Sequence, residues 1–182
     1  MRPQAWQPIS AESLLRVPPW LEVLREQMRL PDGRQIDDFY TVRLPAYTVV
    51  VAITADQRVV AERHYRPGAR QVTLTLPSGF LEPDEDPLRG AKRELLEETG
   101  FEASDWNPLG RFVVDGNRGC GTAHLFMAQN AAEATKPDGQ DLAELMIELV
   151  PLPDFLKAIQ SGRAVELASA AAFALAAIRL QR

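Results

Sequence analysis

Cysteine is almost absent: the 182 residues contain one, Cys120, which excludes an internal disulfide and suits a reducing compartment. Long apolar runs are missing as well. No stretch approaches the roughly 20 residues that a membrane-spanning helix needs, and the Ala-rich segment from Leu167 to Ile178 reads as a packed C-terminal helix. Met1-Arg2-Pro3-Gln4-Ala5-Trp6 opens no signal-peptide core. Together these absences point to a cytoplasmic protein with no membrane segment. Histidine is scarce: His64 and His124 stand far apart with no spaced partner, so neither is expected to ligate metal. No Lys/Arg run exists either, and 20 basic residues against 25 acidic ones leave a net charge of -5. Proteins that grip nucleic acid usually show a basic patch, because phosphate contacts supply most of their affinity. Nucleic acid is thereby disfavoured as a partner. A small phosphorylated ligand, held through metal ions and one or two arginines, fits an acidic chain better.

What is present is an ordinary globular composition, 46% hydrophobic and 25% charged. The length suits one domain with a small appendage. Leu21–Leu30 and Gln35–Arg43 flank Pro31-Asp32-Gly33-Arg34, where Pro presets one dihedral and Gly permits positive φ, so a β-hairpin is expected. Residues 1–44 form an N-terminal segment around that hairpin, and 45–182 the main domain. Ala46–Thr54 is β-branched and apolar, the pattern of a buried strand. Strands follow near Arg58–Tyr65, Gln71–Leu76, Leu109–Asp115, Thr122–Gln129 and Leu145–Val150. Helices are expected over Pro87–Thr99, Pro153–Gln160 and Val165–Leu180, the last with Leu167, Ala171, Leu175 and Ile178 near helical spacing. Without regular βαβ alternation, the order implies an α+β domain built on a mixed sheet with α/β/α layering.

The informative stretch runs from Gly79 to Phe101. Asp86 is a natural N-cap, Pro87 a natural first helical residue and Gly100 a natural stop. On a helical wheel Leu88, Ala91 and Leu95 share one face, and Glu94, Glu97 and Glu98 are expected together on the opposite side. Carboxylates three and four residues apart repel each other, so stability alone does not favour the arrangement. A hard divalent cation such as Mg²⁺ or Mn²⁺ would remove the repulsion. The bland alternative is a solvated acidic face, with Lys92 and Arg93 offsetting part of the charge.

Context decides between them. Gly79, five residues, Glu85, seven residues, then Arg93-Glu94-apolar-any-Glu97-Glu98-any-Gly100-apolar matches the Nudix pattern at every position. Its chance occurrence is on the order of 10⁻⁷ to 10⁻⁶ at ordinary residue frequencies. The chain therefore resembles the Nudix hydrolases, which generally cut a diphosphate linkage in a nucleoside diphosphate joined to another moiety. The resemblance implies an α/β/α sandwich in which the motif forms a loop, a helix and a loop. It implies that Glu94, Glu97 and Glu98 hold metal, Mg²⁺ or else Mn²⁺, or its bound water. Glu97 and Glu98 are also candidates for catalytic work, and Glu85 and Arg93 would interact to keep the motif in shape.

Outside the motif, Arg63-His64-Tyr65-Arg66-Pro67-Gly68 and Leu74-Thr75-Leu76-Pro77-Ser78-Gly79 look like the approach to it in ADP-ribose pyrophosphatases, as do the hairpin and the Gly162–Leu180 tail. That likeness implies metal ligation by the carbonyl of Ser78, diphosphate contact by Arg66 and a homodimer formed through the N-terminal strands. An exposed strand-end arginine is the alternative for Arg66. Two departures bear on the substrate: Thr75 stands where that subfamily often has an acid, and no proline occurs near Asn117, where it typically has one. ADP-ribose or a related ADP-sugar is the first expectation. A GDP-sugar, a dinucleotide such as NADH, or a ligand sensor without turnover are the others.

Several weaker candidates complete the reading. The resemblance to ADP-ribose pyrophosphatases also implies a late loop carboxylate as further ligand or general base; Asp141 and Glu144 compete, Glu144 slightly ahead, with Glu148 less suited inside a strand. A solvated loop acid explains them as well. Gly116–Gly121 with Arg118 could approach a phosphate or sugar, and a plain turn explains it nearly as well. Cys120 reads as a small packed residue. Phe39 and Tyr40 could stack on a base, although aromatic residues in hairpins more often pack.

Overall fold

The computed structural model describes residues 2–137 and 145–181. It divides into two compact units, one comprising Met1–Ala46 with Phe112–Thr122 and the other Tyr47–Arg111 with Ala123–Arg182.

The first unit is built on an antiparallel meander of β1 (Gln7–Val17), β2 (Leu21–Arg29) and β3 (Gln35–Arg43). The expected hairpin is β2–β3. Gly33 takes φ +89 at its tip, and Leu30 N–H donates to Arg34 O at 2.8 Å. β1 lies outside the sequence expectations. All eleven of its residues are exposed, so QPISAESLLRV lacks the alternation by which a half-buried strand is recognised. The unit's second segment carries the turn between β9 (Asp105–Asp115) and β10 (Gly119–Glu133). There Asp115 Oδ1 accepts from Asn117 N at 2.7 Å and Arg118 N at 2.6 Å, an Asx turn.

The second unit centres on a mixed sheet. β4 (Tyr47–Thr54) pairs parallel with β10 and antiparallel with β5 (Arg58–Arg66), and β5 pairs antiparallel with β11 (Met146–Pro151). β6 (Gln71–Thr75) lies against β5, β7 (Ser78–Phe80) against β4, and β8 (Phe101–Glu102) against β10. Helices cover both faces. On one, α2 (Leu152–Gln160) and α3 (Leu167–Leu180) pack Phe155, Ala172, Phe173 and Ala176 against Val49, Val51, Ile53 and Leu125. On the other, α1 (Pro87–Thr99) sets Ala91 and Leu95 against Val50, Ala52, Val60 and Phe126. Coverage from both sides is why β4 reads as a continuous apolar run. The expected α/β/α layering is present. No described helix is long and apolar enough to cross a membrane.

The buried face of α3 differs from expectation. Leu167 and Ile178 are 77% and 54% exposed, while Ser169, Ala172, Phe173 and Ala176 face inward. The helix is apolar almost all round, so its periodicity carries little contrast. Small alanines admit close packing, and the rings of Phe155 and Phe173 meet at 4.8 Å.

Candidate functional site

The carboxylate helix starts and stops where its local chemistry requires. Asp86 Oδ1 accepts from Leu88 N and Arg89 N, both at 3.0 Å, and Pro87 opens the helix. Gly100 closes it in the left-handed region at φ +76, its N–H donating to Leu96 O at 2.8 Å. A Cβ there would also lie 2.3 Å from Thr135 O, so both conformation and space demand glycine.

Arg93 organises the acids around it. Its Nε and Nη2 donate to the two oxygens of Glu85 at 3.0 and 2.9 Å, a bidentate pair. Nη1 donates to Glu94 Oε1 at 2.7 Å and to Glu97 Oε2 at 3.0 Å, while Nη2 also reaches Phe80 O at 3.1 Å. The guanidinium lowers Glu85 to about 2, helped by the Glu82 N–H that donates to Glu85 Oε2 at 3.0 Å. Arg93 itself is raised, chiefly by Glu85. Glu94 moves upward instead, because burial outweighs the attraction of Arg93.

The helix register therefore needs a correction. Glu94 is not opposite the apolar face: it is buried beside Leu95, and its carboxylate lies against the backbone of Gly79. A Cβ on Gly79 would fall 2.1 Å from the Glu94 carboxyl carbon, so that glycine makes the recess the acid occupies. Glu98 is half-buried and accepts from Ser78 N at 2.8 Å, and Glu97 is the most exposed of the three. The reason is geometric. Glu94 and Glu98 flank the Ala91 and Leu95 stripe on the wheel, and α1 packs on β4 and β7 over that flank.

Arg93 thus gathers Glu85, Glu94 and Glu97, and Glu98 is tied to Ser78. Among the described residues no three His, Cys, Asp or Glu side chains converge as a metal ligand set. The donors nonetheless fit a hard divalent ion. They are all oxygens, and Arg93 Nη1 already places positive charge between Glu94 and Glu97.

Around this centre, Arg66 at the end of β5 sets Nε 2.7 Å from Glu166 Oε1 as an ion pair, with Nη2 3.5 Å from Ser78 Oγ. Thr75, where an acid was expected by resemblance, contacts His64 Nε2 at 3.1 Å. Its partner across the β5–β6 pairing is Glu62, a fully buried acid that the sequence reading did not single out. Glu166 was missed too, since nothing local links it to an arginine 100 positions earlier. Glu148 is occupied by Arg63, whose Nη2 donates to Oε2 at 3.0 Å and holds that acid low. Asp141 and Glu144 lie outside the described residues.

Within the first unit, Arg118 donates from Nη1 to Tyr40 O at 2.9 Å and sits 5.8 Å from the centre of the Phe39 ring. Phe39 in turn meets Trp6 edge-on at 5.8 Å. Cys120 is half-buried at φ +55 between Gly119 and Gly121, both also at positive φ. A Cβ on Gly121 would stand 2.9 Å from Pro45 O, so this glycine permits close backbone approach.

Comparison with known proteins bears on the same stretch of chain. Residues 43–168 match the model of the NUDIX domain. A methanol dehydrogenase activator of Bacillus methanolicus is 33% identical over 129 residues, covering 68% of this chain and 69% of that protein. An ADP-ribose pyrophosphatase of Bacillus subtilis (strain 168) is 27% identical over 144 residues, covering 78% and 76%. Among solved structures, one described as an ADP compounds hydrolase superposes with a TM-score of 0.80 at 20% identity, over 100% of this chain and 97% of its own, a likeness of fold. The matched domain contains the whole Gly79–Phe101 motif, and on that ground the chain belongs to the Nudix family, as one of its pyrophosphohydrolases.

Proposed function

We propose that the chain hydrolyses the diphosphate bond of a nucleoside diphosphate joined to a second moiety, with ADP-ribose or a related ADP-sugar as substrate and Mg²⁺ or Mn²⁺ as cofactor. The observation that carries this is the motif with all its acids present between Gly79 and Gly100, Glu85, Glu94 and Glu97 held by Arg93 and Glu98 by the Ser78 N–H. The likeness to an ADP-ribose pyrophosphatase supports the substrate.

In this reading Glu94, Glu97, Glu98 and the carbonyl of Ser78 would hold the cation. When bound, the ion neutralises charge on the diphosphate oxygens and favours ionisation of water. One acid among Glu97, Glu98 and Glu144 takes the proton of the attacking water as its oxygen bonds to phosphorus. The bridging P–O bond breaks, and its electron pair leaves on the second phosphate. Nucleoside monophosphate and sugar phosphate result. Arg66 contacts the diphosphate. Glu85 and Arg93, with Gly79 and Gly100, keep the acids in register.

Residues 1–44 are the dimerisation element and 45–182 the hydrolase domain. A second copy of the chain would cover the exposed apolar residues of β1, Ile9, Leu14, Leu15 and Val17. The single cysteine agrees with a cytoplasmic place, and the net acidity with a small-molecule substrate rather than nucleic acid. The test is a panel of ADP-ribose, other ADP-sugars, GDP-mannose and NADH, assayed for phosphate-monoester products with Mg²⁺ and with EDTA. Metal-dependent turnover of ADP-ribose above the others is the expected result. Preference for another conjugate would reassign the substrate, and measurable binding without turnover would favour a sensor.

A further inference from the structure

Arg66 is held from behind by a chain of contacts that begins on α3. Glu166 is the N-cap residue of that helix, the place from which a side chain commonly accepts from the first helical N–H groups. It makes no such capping bond. Its Oε1 faces Arg66 Nε at 2.7 Å instead. Its Oε2 is the acceptor, at 3.5 Å, for the hydroxyl of Ser169, one turn along. Ser169 is itself buried, and its Oγ accepts from Leu76 N at 3.2 Å. The acid is thus anchored to the backbone that leads, two residues later, into Ser78. From the other side Ser78 donates its N–H to Glu98 at 2.8 Å, and its Oγ lies 3.5 Å from Arg66 Nη2. Two segments a hundred residues apart therefore meet at one guanidinium, whose edge toward Nε is taken by Glu166. Burial and the negative charge of Glu166 also raise the Tyr47 phenol.

An arginine recognises phosphate best when its planar fork is fixed before the ligand arrives, because less rotamer freedom is then lost on binding. We infer that Glu166, backed by Ser169, is a positioning residue that fixes the Arg66 guanidinium so that its Nη1 and Nη2 edge meets the diphosphate. This inference rests on the diphosphate role of Arg66 proposed above.

The experiment compares wild type, Glu166→Ala, Glu166→Gln, Arg66→Ala and the Arg66→Ala/Glu166→Ala double variant. ADP-ribose kinetics are run alongside calorimetric binding of ADP with Mg²⁺, a measurement that needs no turnover. Glu166→Ala should raise KM and the ADP dissociation constant about 10-fold with kcat within about 3-fold, since uniform binding is what is lost. Glu166→Gln keeps the size of the side chain but not its charge, and because the Nε contact is an ion pair without a hydrogen bond it should lose about as much as Glu166→Ala. In the Arg66→Ala background, removing Glu166 should add nothing. Unchanged KM and ADP affinity in Glu166→Ala would overturn the inference while leaving the hydrolase reading intact. An equal further loss in the double variant would do the same, because Glu166 would then act without Arg66. Should wild type hydrolyse no conjugate, the functional reading fails, and the ADP binding series still decides the role of Glu166. Failure of wild type to bind ADP would sink both.

Discussion

The two compact units treat apolar surface in opposite ways. In the larger, β4 has helices over both faces and every residue after Tyr47 is buried. In the smaller, every residue of β1 is exposed, Ile9, Leu14, Leu15 and Val17 among them. The larger unit closes its own core and supplies the carboxylate helix. The smaller leaves the apolar side chains of β1 without a cover from within. A strand of that kind invites another chain, as edge strands do.

The comparison can be broken most forcefully in the core. Phe155→Ala removes a fully buried ring packed on Phe173 and should cost roughly 3–5 kcal/mol, read by urea denaturation. A loss below about 1 kcal/mol would mean that the core is not closed as described. Next comes the carboxylate site. Glu97→Gln or Glu98→Gln should each cut turnover by about 10²- to 10³-fold, of the order seen when one transition-state contact is lost, with thermal unfolding little altered. Near wild-type rates from both would end the catalytic proposal. Glu85→Gln disturbs the same unit structurally and should cost roughly 2 kcal/mol, as expected for a charge-assisted pair, with turnover falling as the Arg93 cluster loosens.

That pair also sets an acid dependence. Glu85 is lower in the folded chain than its ordinary 4.5, at about 2, so its contribution is complete above about 4.5 and is lost as pH falls toward 2. Unfolding monitored between those values should steepen for wild type relative to Glu85→Gln; coincident curves would deny the coupling. The smallest effect on the chain itself is expected in the other unit. Leu15→Ser should change its intrinsic stability by no more than about 0.5 kcal/mol and yet shift a dimer toward monomer in light scattering. A wild type that is monomeric throughout would remove the proposed role of β1.

Legibility in the sequence followed the reach of the interactions. The Pro87–Thr99 helix was readable to the residue because Asp86, Pro87 and Gly100 act locally. The β2–β3 hairpin was readable for the same reason, through Pro31-Asp32-Gly33-Arg34. β1 was hidden because no face of it is buried, and β7 because three residues carry no period. β10 begins earlier than its apolar run, at Gly119-Cys120-Gly121, where positive φ masks the strand. In the site, the Nudix resemblance implied the Glu85–Arg93 pair, and helical spacing the company of the motif glutamates. Neither indicated that Glu94 sinks beside Leu95, or that Arg66 meets Glu166, since both depend on which elements the fold brings alongside.

The recess at Gly79 offers a way to separate shape from charge. Its backbone does not occupy the left-handed region, so alanine there would be conformationally unremarkable. The methyl group would nonetheless land on the Glu94 carboxyl, and every ionisable group of the motif would keep its identity. Gly79→Ala is therefore a purely spatial perturbation of the site. It asks how far a glutamate can be displaced before its charge, still present, ceases to count.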